Sequence, residues 1–276
     1  MANGKSLHLG VNEVSPGAYG GWSGPLNACE ADAADMLALA TAAGFSGTKL
    51  VTADVTRDNV LREFRAAAAE LVAGDIFLVT YSGHGGQVPD RNNDEDDHLD
   101  ETLCLYDGQL IDDELYERWA AFNTGVRILV LCDSCHSGTV TRDAIATATP
   151  ATTAIAAVTT TSYGARALPY ELGGRAYRAK QELYDGLQKQ APPRESDIGA
   201  SVLLISGCQD PQTSMDGPFN GAFTGALLRT WNSGTFDGSY RSFHRKIQRA
   251  LPLTQQPNLV TLGSGPGFAE QRPFTI

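Results

Sequence analysis

Ile76-Phe77-Leu78-Val79-Thr80-Tyr81-Ser82-Gly83-His84-Gly85-Gly86 and Arg127-Ile128-Leu129-Val130-Leu131-Cys132-Asp133-Ser134-Cys135-His136-Ser137-Gly138 share one plan: a continuous apolar run that ends in a compact polar signature. Short apolar runs of this kind are strands covered on both faces, as in a parallel sheet packed between helices. In open α/β sheets, sites form beyond the carboxyl ends of the strands. Two reactive side chains at such ends can therefore meet in space, although some 50 residues separate them in the chain.

The flanking sequence keeps the same alternation. Ser6 to Val14 carries Leu7, Leu9 and Val11 at strand period, and Leu26 to Ala43 switches to helical period and ends at Gly44. Asn27 with Glu30 three residues on suits a capping box. Val55 to Ala73 repeats the unit, with Thr56 as cap and Gly74 as stop. Ser82 to Gly108 reads as a polar loop, followed by a helix over Asp112 to Phe122. Ala144 to Gly199 breaks the rhythm with an Ala/Thr-rich run, a helix from Ala176 to Lys189 and the Pro192-Pro193 pair, and reads as an insertion or linker. Ser201 to Ser206 and Asn258 to Leu262 are strands, and Ala222 to Trp231 and Tyr240 to Leu251 are helices. Neither half supplies a whole sheet, so the first four strands and the last two are expected to form one mainly parallel sheet flanked by helices, within a single α/β domain over residues 1–276.

Composition narrows the function. The 276 residues, 42% hydrophobic and 19% charged, provide ample core. A formal net charge of -11 disfavours nucleic acid and anionic lipid surfaces as partners. Five cysteines without a CxxC pair do not form a disulfide framework. With no signal-peptide pattern and no apolar run near the roughly 18 residues of a membrane span, the expectation is a soluble, cytoplasmic protein.

A thiol needs a base or a cationic neighbour to form thiolate near neutral pH, and an imidazole supplies one. Cys135 is the candidate nucleophile and His84 its base. His136 is the poorer partner, because adjacent side chains on an extended segment point to opposite sides. The glycines beside His84 leave backbone N–H groups accessible, and those of Gly85 and Cys135 are suited to hold an oxyanion.

YSGHGGQ and DSCHSG, followed by ISGCQDPQTSMDG and GAFTGALLRTW, resemble the metacaspases, particularly their compact bacterial caspase-like members. The resemblance runs through a large-subunit-like region (about residues 5–140), the linker (141–199) and a small-subunit-like region (200–276). It implies the caspase-like fold, a Cys135–His84 dyad, a monomer, and hydrolysis of polypeptides after arginine or lysine. It also implies an acidic primary pocket at Asp32 and Asp133, with Ser82 beside it. Two carboxylates facing one cavity repel unless a cation lies between them, and a guanidinium satisfies both charge and fork geometry.

The run Asp90 to Glu101 is densely anionic and invites a hard cation. As an EF-hand it fails, because Glu95 stands where the sharp turn needs glycine. By resemblance, calcium falls to Asp100, Asp112, Asp113 and Asp143, the last on a spacing one residue longer than the pattern. No organic cofactor is expected. The linker carries Arg166, Arg175, Arg178, Lys180, Lys189 and Arg194, so an enzyme selecting basic residues is expected to cut itself there, in cis or trans, without strong preference among the six. An aspartate-selecting peptidase conflicts with an acidic pocket, an inactive binding module conflicts with an intact dyad, and a serine hydrolase lacks its G-x-S-x-G elbow. Cys29, Cys104 and Cys208 receive no role beyond packing.

Overall fold

A computed structural model describes residues 2–92, 95, 98–134, 164–190, 198–208, 214–263, 265 and 267–276. The strands are β1 (Gly4–Gly10), β2 (Ser46–Val51), β3 (Ile76–Ser82), β4 (Gly85–Pro89), β5 (Leu99–Leu105), β6 (Gly108–Ile111), β7 (Arg127–Asp133), β8 (Ser201–Ser206) and β9 (Asn258–Gly263). The helices are α1 (Cys29–Ala42), α2 (Arg57–Glu70), α3 (Asp112–Ala120), α4 (Tyr170–Ala179), α5 (Gln181–Gln190), α6 (Ala222–Trp231) and α7 (Tyr240–Ala250).

Six strands form one sheet in the order β2-β1-β3-β7-β8-β9, parallel except for β9. Alternate residues of its central strands face opposite ways, which divides the apolar side chains into two cores. Phe77, Val79, Ile128 and Val130 pack with α2 and α3 on one face, whereas Ile76, Leu78, Leu129 and Leu131 pack with α1, α6 and α7 on the other. The mainly parallel sheet between helices, expected from the alternating pattern, is present, in the αβα layering that the caspase-like resemblance implied. No helix of the described residues is long and apolar enough to cross a membrane.

Four local expectations are corrected. The stretch from Ser82 to Gly108 is not a loop: β4, β5 and β6 form a separate antiparallel sheet. Its middle strand buries Asp100, Glu101 and Thr102, so a period-2 pattern carrying charges hid a fully covered strand. The helix expected over Ala176 to Lys189 is two helices, α4 and α5, broken at Lys180, where φ is -130°. The Asn27–Glu30 capping box does not form either. The first N–H groups of α1 are taken by groups distant in sequence, with Asn12 Oδ1 accepting from Cys29 and Glu30, and Asp216 accepting from Asn27 and Ala28. Thr56 does cap α2, its hydroxyl accepting from the Asn59 N–H at 3.3 Å. That helix ends at Glu70, and Gly74 makes a left-handed turn before β3 instead of stopping the helix.

Register aligns the strand ends that matter: Gly10 pairs with Ser82, and Ser82 with Asp133. Over this edge lies the N-terminus of α1, so close that a Cβ on Gly10 would lie 2.3 Å from the carbonyl oxygen of Cys29. Backbone cannot yield as a flexible side chain can, so Gly10→Ala is expected to cost about 1–3 kcal/mol, the range for overpacking. In α5, Gly186 has nothing within 4 Å of such a Cβ, and Gly186→Ala is expected to stabilise by about 0.5–1 kcal/mol through helix propensity. Urea unfolding midpoints of the two variants check the contrast; equal midpoints would contradict the close approach of β1 and α1.

Candidate active site

Beyond the β3 end, Gly83 and His84 turn the chain into β4. The His84 carbonyl is fixed from two sides, by the Tyr81 hydroxyl (2.7 Å) and the Cys104 N–H (2.9 Å). The His84 ring is buried beside Trp22, with centroids 4.8 Å apart, and its Nε2 lies 2.6 Å from the Gly24 carbonyl oxygen. A carbonyl only accepts, so Nε2 carries the ring proton and Nδ1 keeps its lone pair. Nδ1 has no hydrogen-bond partner among the described residues. Burial is the main cause that pushes the His84 pKa down to about 4, and the bond to Gly24 opposes it. At neutral pH the ring is therefore uncharged and able to accept a proton.

The next residue, Gly85, donates its N–H to the carbonyl oxygen of Arg166 at 3.0 Å. An N–H aimed at an acyl oxygen is half of an oxyanion hole.

Arg166 also shows what the aligned strand ends can bind. Its side chain is 0% exposed. Nη1 donates to Ser82 Oγ (2.7 Å) and to the Asp133 carbonyl (3.1 Å), and lies 3.0 Å from Asp133 Oδ2. Nη2 donates to Asp32 Oδ2 (2.9 Å) and Asp216 Oδ1 (3.0 Å). Three carboxylates surround one guanidinium, each also held by neutral donors. Asp32 accepts from Ser82 Oγ, the Asn220 amide and the Gly221 N–H. Asp133 accepts from Ser214 Oγ and from the N–H and hydroxyl of Thr224 in the first turn of α6, where the helix dipole favours negative charge. Asp216 accepts from the backbone leading into α1. Gly221 must be glycine, since a Cβ there would lie 2.4 Å from Asp133 Oδ2 and 2.5 Å from Arg166 Nη1. Burial pushes the Asp32 pKa up to about 6, with Arg166 pulling against it and Asp133 adding to it.

The structure thus brings together Asp32, Asp133, Ser82, His84 and Gly85, as the sequence suggested. Cys135, Asp143 and Arg194 lie outside the described residues; Ser134, the residue before Cys135, closely follows β7. The four described cysteines are buried. Burial pushes the thiols of Cys29 and Cys104 up to about 12, which leaves neither ionised at neutral pH. Sequence reasoning missed Asp216, although it stands within the quoted ISGCQDPQTSMDG. It also missed Gly24, for which a single chain gave no signal.

A second polar cluster lies on the small sheet and the helix after it. One carboxylate oxygen each of Glu95, Glu101 and Asp112 lie within 4.8 Å of one another, and all three residues are buried. Asp100 and Asp113, their chain neighbours, are buried too, and Asn92 Nδ2 donates to Asp113 Oδ2 at 3.1 Å. Asp90 folds the loop by accepting from the N–H groups of Asn92 and Glu95. The donor set is all oxygen, which suits calcium or magnesium and not a soft transition metal. Of the expected calcium residues, Asp112 belongs to this triad and Asp100 and Asp113 adjoin it. Glu95 and Glu101 enter as further donors, overlooked once the EF-hand was set aside.

The profile of the caspase domain matches residues 14–266. Among curated proteins, Metacaspase-1 of Kluyveromyces lactis is 28% identical over 92% of this chain and 65% of its own length. Metacaspase-1 of Schizosaccharomyces pombe is 32% identical over 74% of this chain and 53% of its own. The chain therefore spans about half to two thirds of these relatives. Among solved structures, a Geobacter sulfurreducens protein, determined as a structural genomics target, is 51% identical, covers 99% of both chains and superposes with a TM-score of 0.85. Caspase-1 of Spodoptera frugiperda shares the fold at 12% identity, with a TM-score of 0.53 over 95% of this chain and 86% of its own. On the extent of the match and the arrangement of the sheet, this chain belongs to the caspase-domain family and is similar to its metacaspases.

Proposed function

We propose that this protein is a cysteine endopeptidase that cuts polypeptides after arginine, and less well after lysine. Cys135 is the nucleophile, His84 Nδ1 accepts its proton and returns it to the leaving amine, and the Gly85 N–H holds the oxyanion. The observation that carries this reading is the seating of Arg166, whose guanidinium meets Asp32, Asp133, Asp216 and Ser82 while its carbonyl meets Gly85. The pocket suits arginine: the Arg166 side chain is wholly buried and its two terminal nitrogens meet Ser82, Asp32, Asp133 and Asp216. An ammonium at the end of a lysine offers a single point of charge where the guanidinium uses two nitrogens. An acidic side chain meets three carboxylates and is refused.

Calcium stimulation is part of the proposal. Glu95, Glu101 and Asp112 would hold the ion, with Asp100 and Asp113 next to them in sequence and Asp143 added by the family resemblance, and the ion would neutralise their mutual repulsion. The link to catalysis runs through the small sheet, because Glu101 on β5 pairs with Gln87 on β4, the strand that begins at Gly85. Self-cleavage within the linker belongs to the same reading.

Matched fluorogenic peptides ending in Arg, Lys or Asp, assayed with calcium or chelator, test it. Expected is calcium-stimulated release after Arg, about tenfold lower kcat/KM for Lys, none for Asp, and none in Cys135→Ala; release after Asp would overturn the pocket. Glu101→Gln with Asp112→Asn is expected to remove the calcium response and the calcium heat in titration calorimetry.

The acid limb gives an independent check. Arginine binding needs Asp32 ionised, and an empty pocket lacks the cation that pulls the Asp32 pKa down. On the arginine peptide, kcat/KM is expected to fall as pH drops from neutrality, with its inflection above the value of about 6 that Asp32 has beside Arg166, while His84 stays neutral to about pH 4. Asp32→Asn should lower kcat/KM throughout and abolish this inflection; an unchanged inflection would assign it elsewhere.

A further inference from the structure

Arg166 does not reach the pocket from a folded neighbour; it arrives on a strap laid across the site. Gly164 and Ala165 are exposed, Arg166 is wholly buried and Ala167 is half-buried. The Gly164 carbonyl accepts from the Asp216 N–H (3.0 Å), the Arg166 N–H donates to the Ser214 carbonyl (3.1 Å), the Arg166 carbonyl accepts from Gly85, and the Leu168 N–H donates to the Gly85 carbonyl (2.7 Å). Ala165 bridges Met215 antiparallel, and Ala167 bridges Gly85 parallel. The strap is thus added as an extended strand between two backbone edges, with one side chain deep in the carboxylate pocket, its acyl oxygen on the Gly85 N–H and the following residues running on along Gly85 to the buried Leu168. Recognition of this kind is β-strand addition of a peptide.

We infer that Gly164 to Leu168 is this enzyme's own first substrate, cut between Arg166 and Ala167, and that until it is cut it closes the pocket to other polypeptides. The inference rests on the peptidase reading above and narrows its self-cleavage to one bond. Of the other described basic residues of the linker, Arg175, Arg178 and Lys189 lie within helices and Lys180 at the break between two, where the backbone cannot extend through the cleft, while Arg194 lies outside the described residues. In the reaction the Cys135 sulfur bonds to the Arg166 carbonyl carbon and the bond to the Ala167 nitrogen breaks. The thiol proton passes through His84 to that nitrogen. Water then cleaves the thioester, giving an Arg166 carboxylate and restoring the thiol. Downstream, Leu168 stays packed in the core, so the arginine side is the product free to leave. Gly164 is not required as glycine, since a Cβ there would meet only Leu26 at 3.7 Å.

The test uses the full chain. Wild type and Cys135→Ala are incubated with calcium over a range of protein concentrations and analysed by intact mass and N-terminal sequencing, and their initial rates on an arginine peptide are followed. Expected are a new N-terminus at Ala167 in wild type alone, formed at a rate independent of concentration, and a lag in peptide hydrolysis that ends as the bond is cut. Arg166→Ala and Arg166→Gln, checked for folding by circular dichroism, are expected to stay uncut at this bond and to hydrolyse the peptide without a lag, at least tenfold faster than uncut wild type. Peptide hydrolysis without an Ala167 N-terminus, or without a lag in uncut wild type, would overturn this inference and leave the peptidase reading standing. Absence of both hydrolysis and cutting would overturn both.

Discussion

A guanidinium shared among three buried carboxylates is the constraint around which this molecule is arranged. Taking a charge out of water costs several kcal/mol, and the mutual attraction of buried charges repays it only when geometry is good and the remaining lone pairs are satisfied. Asp32, Asp133 and Asp216 meet that condition through separate donors: Asn220 and Gly221 for the first, Ser214 and Thr224 for the second, and the entry to α1 for the third. The carboxylates come from α1, the end of β7 and the segment before α6. One electrostatic requirement therefore ties together parts of the chain nearly 200 residues apart.

The sheet supplies the precision. Parallel pairing in register puts Ser82 next to Asp133, and the same strand runs on through Gly83 and His84 into the small sheet that begins at Gly85. Asp133, Ser82, His84 and Gly85 are consequently gathered at one edge, because they lie on paired strand ends or follow one another from β3 into β4. The His84 carbonyl, anchored by Tyr81 and Cys104, joins the large sheet to the small one. A change in the carboxylate cluster on β5 and α3 has a short covalent path to Gly85.

Much of this was legible in the sequence, for identifiable reasons. Two apolar runs ending in polar signatures fix both the strands and the site at their ends, and the metacaspase resemblance adds Asp32, Asp133 and Ser82. What the sequence hid depends on long-range geometry. The small sheet was overlooked because Asp100 and Glu101 look solvated until the fold buries them, though Asp107-Gly108 is an available hairpin signal. Asp216 carries no local mark that separates it from a loop charge. Arg166 looked equal to five other basic residues, and only its placement between Asp216 and Gly85 distinguishes it.

The occupied pocket also resolves a conflict between specificity and stability. A cavity selective for arginine must keep several carboxylates desolvated and close together, and such an arrangement without its cation is unfavourable; burial already drives Asp32 toward protonation even with Arg166 present. Supplying the cation from the same chain lets the site fold in its charged, hydrogen-bonded form, with no dependence on an external ligand. On the proposed function, the residue that does so is of the type the pocket would select, and its backbone is held by the groups that would hold a substrate. If the bond after Arg166 is cut as inferred, a latent state follows from building an anionic pocket: the side chain that stabilises the site would also block it, and hydrolysis of the bond that follows would separate the two roles.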